Sequence, residues 1–251
     1  MKHLLFGIFV MLCTGLFAQT ENTDEGIIFE TIILTPDYEE IATLAANLEA
    51  HNKEFHTAGT PYEAYVYNIT TGPNSGKMVW MMGPFSKWAD LDNRPGGEAH
   101  DENWMTTVVP YLENMEHGEY WKRDNEMSKA PTGKQYPLMF IRYHSISKAE
   151  GYRFGPLLEK ISSVMKAMDE AESWAVYDNL LRQGYDTGRH VAMIGGMNNW
   201  AEMDEDWPFM DKFKEMYGDA AWNAFVSDME VVTTNSWDEI WSYNAKLSGK
   251  E

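Results

Sequence analysis

The stretch Gly76–Asp92, GKMVWMMGPFSKWADLD, recurs 112 residues later as Gly188–Asp204, GRHVAMIGGMNNWAEMD, and the two align without a gap. They share Gly76/Gly188, Val79/Val191, Met81/Met193, Gly83/Gly195, Trp88/Trp200, Ala89/Ala201 and Asp92/Asp204. Lys77/Arg189, Asp90/Glu202 and Leu91/Met203 are conservative pairs. Self-similarity held in one register points to an internal duplication, so the chain is expected to fold as two copies of one unit.

The order of elements in that unit follows from local pattern. Ile27–Thr35 is β-branched and reads as a strand. Thr35, Pro36 and Asp37 supply an N-cap, a proline at the first helical position and an acid in the first turn. The helix that follows runs to about Phe55 with Ile41, Leu44, Ala45 and Leu48 on one face. Tyr62–Ile69 and Lys77–Met82 form a hairpin around the turn-rich TTGPNSG. Ser86 caps a short helix carrying Trp88 and Leu91, a longer helix runs from Ala99 to Met115 with a bend at Pro110, and Gly118–Arg123 closes the unit. The second half repeats this order: the strand Tyr136–Ser145, a capping box of Ser147 and Glu150, a helix to Met168, and the hairpin Trp174–Leu181 with Arg189–Ile194. A short helix capped by Asn198, a long helix Pro208–Phe225 and a closing strand Met229–Thr234 complete it.

The chain therefore divides into a leader over 1–18, a polar tail over 19–26, a first unit over 27–124, a linker over 125–135, a second unit over 136–236 and a C-terminal extension over 237–251. The fold class is α+β: two tandem ferredoxin-like β-α-β-β-α-β repeats that pair their antiparallel sheets into a barrel.

Lys2, the apolar run Leu4–Leu12 and Leu16-Phe17-Ala18 make a Sec-type signal peptide with cleavage after Ala18, and the expected location is periplasmic or secreted. Lipid anchoring through Cys13 is the competing reading; Met11-Leu12 lacks the small residue that usually precedes a lipidated cysteine. Cleavage removes Lys2, taking the formal charge from −19 to −20, and removes the only cysteine, so thiol chemistry and disulfides are excluded from the mature chain. A surface that acidic repels phosphate backbones, so no nucleic-acid partner is expected. No later stretch reaches about 18 apolar residues, so no membrane span is expected.

In element order, and in the segments Ser86–Asp92 (SKWADLD) and Asn198–Asp204 (NNWAEMD), the chain resembles the dimeric α+β barrel superfamily, which includes antibiotic-biosynthesis-monooxygenase-like and NIPSNAP-like proteins. The resemblance covers both units. It implies sheet packed against sheet, and it allows a cofactor-free oxygenase or isomerase acting on a planar, electron-rich substrate. Chlorite-dismutase-like relatives, with paired units in one chain, carry haem on a helix histidine; here the second unit offers none, since His190 falls on a strand, and no cofactor is expected.

Strand alternation puts Glu30 and its equivalent Arg142 on one face with Ile28/Phe140 and Ile32/His144. Two readings fit that face. In one it is a cavity wall, with Arg142 or His144 contacting an anionic or carbonyl-bearing small molecule and His144 a weak candidate for acid/base catalysis. In the other, Glu30 and Arg142 form a salt bridge between the halves. Tyr65, its equivalent Tyr177, Tyr67 and Trp80 offer aromatic surface to a planar ligand or simply form core. Trp88 and Trp200 are expected as packing anchors. His51 and His56, five apart, fall on different faces of an ideal helix, and Glu98, His100, Asp101 and Glu102 crowd a loop; neither spacing matches zinc or calcium, so no metal is expected. With no titratable pair at a recognisable spacing, the expectation is an exported small-molecule-binding or interaction protein for a small apolar or planar ligand. The alternative is a cofactor-free monooxygenase or isomerase acting in the barrel cavity, and the oligomeric state stays open.

Overall fold

The computed structural model describes residues 27–129, 134–169, 173–181 and 189–251; the leader, the polar tail and the middle of the linker lie outside them. Its nine strands are β1 (Ile28–Pro36), β2 (Ala64–Ile69), β3 (Met78–Phe85), β4 (Leu112–Met115), β5 (Glu119–Asp124), β6 (Leu138–Ile146), β7 (Trp174–Asn179), β8 (Arg189–Met197) and β9 (Thr233–Tyr243). All pairings are antiparallel. Eight strands close a ring in the order β1-β3-β2-β9-β6-β8-β7-β5, and β4 joins the upper end of β1 beyond β5. The fold is a mixed α/β barrel with helices outside it.

Closure sends alternate side chains to opposite sides. One cluster gathers Ile33, Tyr65, Tyr67, Ile69, Val79, Met81, Trp121, Met139, Ile141, Tyr143, Tyr177, Ala192, Ile194, Trp241 and Tyr243. It takes side chains from all eight strands of the ring and from no helix, so it is the lumen. The other parity meets helices. Ile28, Leu34, Val66, Met78, Trp80 and Met82 pack under α1 (Ile41–Phe55) and the segment after α2 (Glu98–Asn103). Val176, Val191 and Met193 pack under α3 (Phe154–Ala167), α4 (Phe209–Tyr217) and α5 (Asp219–Val232).

The helices differ from expectation at their ends. β1 keeps Pro36, and α1 starts only at Ile41. The helix expected over Ala99–Met115 is α2 followed by a π turn (Trp104–Val108) and a 3-10 turn (Val109–Tyr111), after which Leu112–Met115 is strand. The long helix expected over Pro208–Phe225 is broken at Gly218, whose φ of 88° lies where other residues are strained, and α5 then runs on to Val232. Met229–Val232 is therefore helical, and the closing strand is Thr233–Tyr243, which takes in the first seven residues of the segment read as a C-terminal extension. The tail after β9 docks on the first half: Asn52 Nδ2 donates to Leu247 O (2.6 Å) and Val66 N to Ser248 Oγ (2.8 Å).

The gapless repeat also crosses faces. On the outer strands Ile32 opposes Trp80, while His144, 112 residues on, opposes Val191 rather than position 192. The third strands thus superpose at 111, and a slip of one residue exchanges the faces of a strand. Val79 and Met81 line the lumen, whereas Val191 and Met193, their matches by identity, pack under α3. Trp88 and Trp200 are 46% and 50% exposed, so neither is the packing anchor expected; Trp88 only rests against Tyr120, ring centroids 5.1 Å apart.

Phe213 is fully buried between Phe225 (4.8 Å) and Trp222 (5.4 Å). Phe213→Ala is expected to destabilise the chain by about 3–5 kcal/mol in denaturant unfolding; a loss below about 1 kcal/mol would mean that the α3–α5 layer is not cooperative with the barrel.

Candidate functional site

Strand parity divides the seven residues proposed for ligand contact. Tyr65, Tyr67 and Tyr177 face the lumen. Glu30, Arg142 and His144 do share a face, but it is the helix side, and Trp80 joins them there. Glu30 and Arg142 do not pair. Glu30 accepts from Arg94 Nη2 (2.8 Å) and from Tyr120 OH (2.9 Å), Tyr120 being its cross-strand partner. Arg142 donates Nε and Nη2 to the two carboxylate oxygens of Asp238, directly opposite on β9, both at 2.8 Å. The face reading failed because each charge meets a nearer partner on the adjacent strand. Both members of the Arg142–Asp238 pair are half exposed, so it adds at most about 1 kcal/mol. His144 bonds Ser236 Oγ through Nδ1 (2.7 Å), and burial, with help from Arg142, pushes it down to about 4.

The lumen holds a polar cluster that the sequence reading missed. Glu119-Tyr120-Trp121 and Glu239-Ile240-Trp241 repeat one spacing, and in each the indole Nε1 donates to the carboxylate two residues back, at 3.0 Å and 2.8 Å. Register places them one pleat apart, Glu119 opposite Thr31 and Glu239 opposite Ile141. The repeat is legible in the sequence, but a last strand at Met229–Thr234 leaves the second motif outside the sheet, whereas β9 carries it. Glu239 is 1% exposed and also accepts from Asn74 Nδ2 (2.8 Å). Glu119 sits where β4 gives way to β5 and remains partly open to solvent. Burial raises its carboxyl above the usual range, opposed by the Trp121 hydrogen bond. Around it, Tyr143 stacks on Trp237 (5.1 Å, 23° between planes) and packs on Trp121 (5.7 Å), while His190 meets both Trp121 (6.5 Å) and Trp237 (5.9 Å). Burial, then Glu239 and Glu119, lifts the Tyr143 hydroxyl well above 10; burial lowers His190, keeping it neutral. An aromatic wall thus carries a carboxyl that holds its proton more tightly than usual, a neutral imidazole and a phenol locked as a donor.

A second cluster lies between α1, α2 and the outer face of β3. His51, His56 and His100 are all buried, and their ligand-capable nitrogens lie within 4.8 Å of one another. The sequence hid this because α1 ends at Phe55: His56 caps it with φ −121° and ψ 54°, and so turns back toward His51. Gly96, at φ 80°, lets the loop before α2 press on Phe55; a Cβ there would stand 2.6 Å from that ring and 3.0 Å from His100 Cβ. Burial lowers His51 to about 4, partly opposed by its Asn103 hydrogen bond, and lowers His56 to about 3.

No protein-family model matches the chain, and no curated protein matches it. Solved structures do. A "putative monooxygenase" from Lactobacillus acidophilus NCFM shares 12% identity over 87% of this chain and 94% of its own, with a TM-score of 0.54. An anthrone oxidase-like protein shares 12% over 88% and 92%, TM-score 0.55. Chlorite dismutase from Candidatus Nitrospira defluvii shares 7% over 91% and 96%, TM-score 0.51. At these identities the likeness shows the fold alone, an antiparallel α+β barrel. It also speaks against the expected non-catalytic binding or interaction role, since these neighbours are named as a putative monooxygenase, an anthrone oxidase-like protein and a chlorite dismutase.

His51, His56 and His144 have folded-state values below the ordinary 6.5. Unfolding therefore takes up protons, and their stabilising contribution, complete above about pH 6.5, is lost as pH falls toward 4 and 3. In metal-free buffer the melting temperature is expected to drop steadily from pH 7 to 5, with roughly two to three protons taken up per unfolding event near pH 5. Calorimetry in buffers of different ionisation enthalpy checks this; a flat profile would refute the neutral imidazoles.

Proposed function

We propose that the chain is an exported enzyme that removes a proton from a planar organic substrate at the mouth of the barrel lumen, in an isomerase or a cofactor-free oxygenase reaction. The observation that carries this reading is Glu119: a partly open carboxyl, raised by burial, held by an indole and set in an aromatic wall. A planar substrate lies against Tyr143 and Trp237, with Tyr177 and Tyr65 as further lumen aromatics. Ionised Glu119 takes the proton from the carbon beside the substrate carbonyl or phenol. Tyr143, which keeps its proton, donates to the oxygen on which charge develops. The resulting carbanion either regains a proton at another carbon or adds to dioxygen to form a C–O bond; that peroxide takes up a proton, and cleavage of its O–O bond leaves a new carbonyl on the substrate and releases the other oxygen as water.

We also infer that the barrel arose by duplication. The strand orders β5-β1-β3-β2 and β9-β6-β8-β7 match, and the first and second strands agree at 112 while the third has slipped to 111. The leader over 1–18 would direct export.

Oxygen consumption and product formation with anthrone as the probe test the reaction. Glu119→Gln is expected to lower turnover by about 10²–10⁴-fold, while Arg142→Ala, on the far face of the sheet, leaves it unchanged. Turnover untouched by Glu119→Gln would sink the assignment.

A further inference from the structure

Three hydrogen bonds settle how the imidazoles between α1 and α2 face one another. His56 Nδ1 lies 2.8 Å from Tyr62 O, which only accepts, so that nitrogen carries the proton. His100 Nδ1 lies 2.9 Å from the Asp101 carboxylate, and His51 Nδ1 lies 2.8 Å from Asn103 Oδ1, itself already an acceptor from Thr107 Oγ1. Each Nδ1 is thus a donor, and each Nε2 is left with a bare lone pair. The Nε2 atoms of His56 and His100 face each other at 3.3 Å, and His51 Nε2 is buried with no hydrogen-bond partner. Two lone pairs at that distance repel, and on the surrounding wall Phe55 has no proton to give and Trp80 gives its indole N–H to Asn52 Oδ1 (3.0 Å).

We propose that Nε2 of His51, His56 and His100 together bind one divalent transition-metal ion of the zinc type. Tetrahedral ligands at 2.0–2.1 Å from zinc stand about 3.3–3.4 Å apart, which is the His56–His100 separation. A neutral all-imidazole set suits zinc and its first-row neighbours rather than calcium or magnesium. The acceptors behind each ring fix its tautomer and aim, as outer partners of metal-bound histidines do, and Asp101 adds a negative charge behind His100. Arg94, the cation near His56, is already paired with Glu30 at 2.8 Å. Three protein ligands leave a further position for water or an anion. The ion would tie the end of α1 to α2, on the opposite side of the sheet from Glu119, so this site stands apart from the lumen chemistry.

The test uses the untagged full chain, stripped with chelator and titrated with Zn²⁺. One ion per chain is expected, with a melting temperature that rises on loading and falls with chelator. Co²⁺ in place of zinc is expected to give the intense visible bands of a four- or five-coordinate site. His100→Gln should weaken binding more than about 100-fold, Asn103→Ala, which removes the acceptor behind His51 but no ligand, by about 10–100-fold, and His117→Gln, exposed and outside the cluster, not at all. Should His100→Gln fail to fold, stoichiometry and the cobalt spectrum of the unmodified chain decide. No ion at saturating zinc, one ion retained in both His51→Gln and His100→Gln, or a weak octahedral cobalt spectrum typical of surface carboxylates would each overturn the proposal.

Discussion

In a closed ring of strands every side chain has two destinations, and the pleat alone decides between them. One parity enters a lumen ringed by eight strands; the other meets helices. That constraint separates the two chemical regions of this molecule. Glu119, Tyr143 and Trp121 share the inward parity, while Glu30, Trp80 and His144 share the outward one. Because the ring has no free edge along most of its length, neither set can relax by letting a strand slide: a shift of one residue would put Glu239 among Leu138, Phe140 and Met197 on the outer face and Ile240 into the lumen.

The contents of the two sides follow different physics. The lumen is aromatic, and its carboxylates survive there because each has an indole donor two residues along the same strand. A hydrogen bond from a neutral donor satisfies a buried carboxylate without importing a cation, and at Glu119 burial then raises the carboxyl. Outside the ring, Glu30 has a guanidinium and a phenol for company, and the imidazoles are fastened by backbone and side-chain oxygens behind them.

Much of the architecture was legible in the chain. Alternating β-branched stretches, Gly/Pro turns and the recurring tryptophan segment sufficed to propose two ferredoxin-like units and a barrel, and the barrel is present. What the sequence could not show lies in two kinds of place. The first is helix termination: His51 and His56 look divergent on an ideal helix, and only the end of α1 at Phe55 brings them together. The second is parity across a repeat. Identity aligned Val79 with Val191, yet packing put them on opposite faces, and Met229–Val232, apolar enough to pass as strand, was claimed by the helix that packs on α3. Likewise, Glu30 and Arg142 shared a face as read, but cross-strand register, invisible in one strand, gave each a closer partner.

The last strand and the tail behind it bear on how the molecule is made. β9 lies between β2 and β6, and the residues after it bond to α1 and β2. Synthesis proceeds from the N-terminus, so the first half waits with β2 unpaired on one side until β9, the last of the nine strands in chain order, has emerged. Closure of the ring by that long-range pairing is the late and slow event in folding.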